Sequence, residues 1–219
     1  MKIGTDGVLL GAWTSLKHQP LSILDIGAGT GVVALMLAQR SHAETIDGLE
    51  IDEDAYEQCV ENFEASDWAD RLFCYHASLE EFVAEIDDKY ELIVSNPPFY
   101  SEIVPSGNES RDMARQNQSL PFEELLNSLV KLLAENGTFS TIIPFKEEAI
   151  FLELAAAINL YPRRLLRIKG NPTSEIKRSL LELHIGKTPV EIDNLTIESA
   201  RHEYTQEYID LTKDFYLKM

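Results

Sequence analysis

A strand that runs straight into a cluster of glycines and then into an apolar helix leaves few folds open. Leu21-Ser22-Ile23-Leu24-Asp25-Ile26 has the apolar content of a buried strand, and Gly27-Ala28-Gly29-Thr30-Gly31 follows it directly. Val32-Val33-Ala34-Leu35-Met36-Leu37-Ala38 is apolar nearly all round, so it should be a helix packed against a sheet. Glycines let the backbone turn sharply and let a ligand approach with no Cβ in the way. The helix start presents free N–H groups. This is a cofactor loop at the carboxyl end of a strand in an open α/β sheet.

The next strand, over 45–49, ends at Glu50, about twenty residues past the glycines, where an acid can hold the two hydroxyls of a ribose. Both a nicotinamide dinucleotide and S-adenosylmethionine satisfy that arrangement. The spacing is GxGxG rather than the GxGxxG that cradles a pyrophosphate. S-adenosylmethionine has a ribose and a carboxylate but no phosphate, so it is the favoured cofactor.

A further strand, 90–95, closes on Asn96-Pro97-Pro98-Phe99. Two prolines cannot continue a ladder, so this tetrapeptide lies just beyond a strand's carboxyl end. The Asn side chain and the Pro carbonyls offer acceptors at fixed positions, and the ring beside them offers a stacking surface. Those parts suit a planar NH2 group. An Asn-Pro turn with an incidental Phe is the plainer alternative for such a short motif.

The rest of the chain reads as alternating elements. Residues 8–13 form about two helical turns with Thr5 or Asp6 placed to cap them. An acidic helix covers 52–66, a strand 71–76, and a helix 78–86 with Ser78 as its cap. After a polar stretch, 101–119, an amphipathic helix over 121–135 ends at Asn136-Gly137. A strand at 138–144 and a helix at 146–160 lead to strands 161–169 and 177–185, whose short link implies antiparallel pairing. Tyr204, Tyr208, Leu211 and Phe215 stand at helical spacing, predicting a packed helix over 203–219 with these residues in the core.

The formal charge of −18 argues against nucleic acid as a partner, but its distribution is uneven. Arg163, Arg164, Arg167, Lys169, Lys177 and Arg178 face a single nearby acid, Glu175. Such a run is either a solvated strand pair or a phosphate-binding surface. Arg111 and Arg115 are spaced to share one helical face and join the second reading. No run of about 18 apolar residues is present, so no membrane helix is expected. Two cysteines without CxxC spacing and five scattered histidines suggest neither zinc nor disulfides, which favours a reducing cytoplasm. A chain of 219 residues is within reach of one domain, 1–219.

The order of parts resembles the class I S-adenosylmethionine-dependent methyltransferases. Residues 1–13, MKIGTDGVLLGAW, together with Arg111, Ala114-Arg115 and the closing Tyr204, Tyr208, Leu211-Thr212, Phe215-Tyr216-Leu217 and Met219, are similar to the bacterial tRNA1(Val) (adenine-37-N6)-methyltransferase family. That resemblance implies a Rossmann-like α/β fold with a seven-stranded, mostly parallel sheet, one antiparallel strand and helices on both faces. It implies S-adenosyl-L-methionine bound by Thr5, Asp6, Asp25, Gly27, Gly29, Gly31, Glu50, Ser78 and Asn96. Asn96, Pro97 and Phe99 would be catalytic, and tRNA would be held by Arg111, Arg115 and the six cations between 163 and 178. A cytoplasmic monomer without a metal is expected.

The chain departs from the family in two places. Members usually carry further basic and aromatic residues ahead of the Met-Lys-Ile-Gly-Thr-Asp segment, so some RNA contacts or part of a lid are expected to be absent. Ser78 stands where an acid usually meets the adenine amine, and a hydroxyl accepts more weakly than a carboxylate. Rival substrates for the same motif are guanine N2 of ribosomal RNA and the glutamine N5 amide of a translation factor. A cofactor-binding or RNA-chaperone module without catalysis is the rival from another class.

Overall fold

The computed structural model describes residues 4–97 and 121–218. Its elements are α1 (Thr5–Trp13), β1 (Ser22–Ile26), α2 (Val32–Arg40), β2 (Thr45–Glu50), α3 (Glu53–Glu64), β3 (Leu72–His76), α4 (Leu79–Glu85), β4 (Tyr90–Ser95), α5 (Phe122–Leu132) and β5 (Leu133–Pro144). After a 3-10 turn come α6 (Glu148–Ala157), β6 (Leu160–Lys169), β7 (Ile176–Ile185), β8 (Glu191–Thr196), β9 (Glu198–Ala200), β10 (Glu203–Tyr204) and α7 (Gln206–Thr212).

The main sheet has the order β3-β2-β1-β4-β5-β7-β6-β8. β7 runs antiparallel to both its neighbours, and the other adjacent pairs are parallel. The expected seven strands and single antiparallel strand are therefore present, with β8 as an eighth. Alternation along each strand divides the apolar residues between two layers. Ile23, Ile46, Leu92 and Val94 pack with Leu9, Leu10 and Trp13 of α1, Val33 and Leu37 of α2, and Phe63 of α3. Leu24, Ile26, Ile93, Phe139 and Ile143 pack on the other face with Phe82 of α4, Leu125 and Leu129 of α5, and Phe151 of α6.

Four local expectations are corrected. Gly4, not Thr5 or Asp6, is the N-cap of α1, and no side chain caps it. The helix ends at Leu132, because Leu133 already pairs with Tyr90 as the start of β5. Asn136 and Gly137 fall in the irregular stretch before Thr138 pairs with Leu92, where a Cβ on Gly137 would sit 2.9 Å from Leu133 Cδ1. At the chain's end the long helix shortens to Gln206–Thr212 plus a 3-10 turn, and Glu203-Tyr204 is a strand. Tyr208 is buried there as expected, while Tyr204 is 45% exposed.

Candidate active site

In the order β2-β1-β4 the chain leaves β1 toward one side and returns on the other, which opens a crevice at the strands' carboxyl ends. Ile26 pairs with Ser95, and Ser95 Oγ donates to the Ile26 carbonyl at 2.8 Å. The next residue on each strand is Gly27 on one side and Asn96 on the other, so the glycine loop and the NPPF motif begin side by side. Asn96 is half-buried and Pro97 buried, while Pro98, Phe99, Arg111 and Arg115 lie outside the described residues.

Three glycines of the loop adopt positive φ, at 73° for Gly27, 58° for Gly29 and 78° for Gly31. They serve different ends. Nothing lies within 4 Å of a Cβ built on Gly27, so its backbone faces open space. A Cβ on Gly31 would lie 2.4 Å from Phe63 Cε1 and 2.9 Å from Cys59 Sγ, so this glycine lets α3 close on the loop.

Glu50 organises the crevice. Its Oε2 accepts the Gly29 N–H at 2.7 Å, and its Oε1 accepts the N–H groups of Ile51 and Asp52, each at 2.9 Å. A carboxylate offers about four acceptor positions, so at least one remains for a ribose hydroxyl. Asp25 lies beneath the loop, buried, accepting the Ala34 N–H of α2 at 3.1 Å. Burial pushes its pKa up to about 7, with the Ala34 N–H pulling the other way and the Glu50 charge adding to the rise.

At the far wall Ser78 caps α4. Its hydroxyl donates to Glu81 Oε2 at 2.7 Å and accepts the Glu81 N–H at 3.2 Å, while Glu81 returns to the Ser78 N–H. Three residues that the sequence did not mark also stand here. Ile51 is 52% exposed directly after Glu50, and His76 Nε2 lies 3.1 Å from its carbonyl with Tyr56 stacked on the imidazole. The available signal was an apolar residue left just past Glu50, the acid that ends β2.

The structure divides the basic set. Arg178 pairs with Asp6, Nε to Oδ2 at 2.8 Å. Arg164 pairs with Glu182 at 3.0 Å and lies over the Trp13 ring. Arg167 pairs with Glu148, which also accepts from Ser179 Oγ. Arg163 meets His18 at the opposite end of β6, about 20 Å of strand away from Lys169 at roughly 3.3 Å per residue. Lys169 and Lys177 flank the 170–174 link, on the same rim as the crevice.

An open glycine backbone, a carboxylate with an acceptor position to spare and a buried carboxyl beneath together fit a nucleoside cofactor. A methyltransferase small domain model matches residues 8–143. The tRNA1(Val) (adenine(37)-N6)-methyltransferase of Flavobacterium johnsoniae is 63% identical over 220 residues, covering 100% of this chain and 94% of that one. This chain belongs to the tRNA1(Val) (adenine(37)-N6)-methyltransferase family. A relative of the same name from Bacteroides fragilis strain YCH46 is 43% identical, covering 100% of this chain and 92% of its own. Among solved structures, a predicted O-methyltransferase from Agrobacterium tumefaciens superposes with a TM-score of 0.72 at 19% identity, over 95% of this chain and 96% of that one. The ribosomal protein L11 methylase of Lactobacillus delbrueckii subsp. bulgaricus gives 0.58 at 17%, over 83% and 77%. Both establish the fold alone. Members of the family draw their methyl group from S-adenosylmethionine.

Proposed function

We propose that this chain methylates the exocyclic N6 amine of adenine 37 in tRNA1(Val). The supporting observation is the placement of Asn96 beside the glycine loop, fixed by the Ser95–Ile26 hydrogen bond. When bound, S-adenosylmethionine supplies an electrophilic methyl on a cationic sulfur. The adenine amine is a poor nucleophile because its lone pair is delocalised into the ring. Asn96 Oδ1 and the Pro97 carbonyl each accept one of its N–H groups and turn that lone pair out of the plane, toward the cofactor side of the crevice. Phe99 stacks the base, a contact worth about 1–3 kcal/mol. Once methylated, the nitrogen is acidic and sheds its proton without a dedicated base. Positioning is the main source of acceleration, up to about 7–11 kcal/mol in ideal cases.

Glu50 takes the ribose, Asp25 the field of the cationic arm, Gly27 and Gly29 the close approach, and Ile51 with Ser78 the adenine. Thr5 and Asp6 close the rim through α1. Lys169 and Lys177, with Arg111 and Arg115, receive tRNA phosphates, and Arg163, Arg164, Arg167 and Arg178 serve the fold. With so few cations, tRNA binding is weak and salt-sensitive. An anticodon-loop adenosine can be splayed from its stack at low cost, which suits this open crevice. The continuous main sheet supports one working domain, acting as a cytoplasmic monomer. Asn96→Ala tests the assignment: methyl transfer falls by about a hundredfold or more if positioning is lost. Retained transfer would remove it.

A further inference from the structure

Ile51 is an exposed apolar side chain at the mouth of the crevice, yet both its backbone polar groups are held by side chains. Its N–H goes to Glu50 Oε1 at 2.9 Å, and its carbonyl accepts from His76 Nε2 at 3.1 Å. The imidazole lies on the Tyr56 ring, centroids 5.0 Å apart and planes 17° from parallel. Tyr56 belongs to α3, whose N-cap Asp52 accepts the Ala55 N–H at 2.9 Å. The 51–52 turn is thus bracketed by side chains from the end of β2, the end of β3 and the first turns of α3. An exposed hydrogen bond between a ring nitrogen and a carbonyl adds little to folding. What it does fix is the angle at which Ile51 is presented.

We propose that His76, supported by Tyr56, is a positioning residue for the cofactor: by holding the Ile51 carbonyl it sets the face on which the adenine rests. The inference rests on the reading that the base lies against Ile51. Nε2 carries the proton in this arrangement, and the stacked ring keeps the imidazole from rotating away.

Calorimetric titration with S-adenosylhomocysteine, which needs no turnover, tests this. His76→Phe keeps a ring on Tyr56 but removes the donor, and raises Kd about three- to tenfold, while His76→Gln keeps a donor and stays within about twofold of wild type. Tyr56→Leu removes only the support and shifts Kd in the same direction as His76→Phe. If His76 acts through Ile51, the double variant with Ile51→Ala binds no worse than Ile51→Ala alone. Thermal midpoints and the KM for tRNA stay at wild-type values. Unchanged Kd in His76→Phe, or additive losses in the double variant, would overturn the inference. A wild-type protein that fails to bind S-adenosylhomocysteine would remove the underlying reading and the inference with it.

Discussion

The carboxylate of Asp6 stands 2.8 Å from Nε of Arg178, tying the first turn of α1 to β7 across 172 positions of sequence. One residue comes from the segment ahead of the glycine loop and the other from the basic strand pair, so two features that look separate in sequence share one contact. Arg40 fixes the other end of α1, donating to the carbonyls of Gly11 and Thr14. Both side chains of the Asp6–Arg178 pair are partly exposed, at 26% and 20%, so solvent screens it. A double-mutant cycle of Asp6→Asn and Arg178→Gln, followed by urea denaturation, should give a coupling of about 1 kcal/mol or less. A coupling several times larger would mean that the pair is not screened as its exposure implies.

Gly27 and Gly31 should separate stability from binding. Gly31→Ala forces a left-handed residue and a methyl into Phe63 and Cys59, so unfolding free energy falls by about 2–4 kcal/mol. Gly27→Ala costs only the backbone strain, about 1–2 kcal/mol, because its Cβ meets nothing within 4 Å. Its methyl enters the crevice instead, and affinity for S-adenosylhomocysteine drops at least about tenfold. Equal effects of the two on both measurements would contradict the division.

Glu50→Gln should damage the loop as well as the ribose contact. One amide oxygen cannot replace two carboxylate oxygens accepting from Gly29, Ile51 and Asp52. Expected losses are about 1–3 kcal/mol in stability and at least about tenfold in cofactor affinity. Amide exchange at Gly29 should quicken. Protection equal to wild type would place the loop's order elsewhere.

Asp25 gives a pH dependence whose sign follows from its raised pKa. The unfolded carboxyl titrates at 3.8 and the folded one at about 7, so the native state holds the proton longer. Its contribution to stability therefore falls as pH rises from about 4 to about 7 and is level above, a loss on the order of 4 kcal/mol at about 1.4 per pH unit. Asp25→Asn should gain stability over wild type as pH climbs from 5 to 8 in urea titrations. A cationic cofactor arm favours the carboxylate, so S-adenosylmethionine binding near pH 6.5–7 should release protons, measurable in buffers of different ionisation enthalpy. Proton uptake would reverse the account.

The crevice was legible because its residues are local in sequence. The glycines, Glu50 at the end of β2 and Asn96 at the end of β4 are each placed by the strand they follow. β8 was not, since Glu191-Ile192-Asp193-Asn194-Leu195-Thr196 is rich in residues that disfavour strands and joins the sheet only by pairing with β6 at its edge. The fates of Arg164, Arg167 and Arg178 were equally hidden. Their partners Glu182, Glu148 and Asp6 lie 18, 19 and 172 positions away, and only the folded sheet brings them together. A run of cations looked like one surface, and the structure makes it partly an internal ion-pair set.

The most direct test is transfer of labelled methyl from S-adenosylmethionine to total tRNA from a strain lacking the modification, followed by nucleoside analysis. The account predicts label in N6-methyladenosine of tRNA1(Val), lost in Asn96→Ala. Label in N2-methylguanosine of ribosomal RNA, in a glutamine side chain of protein, or in no acceptor at all would contradict it.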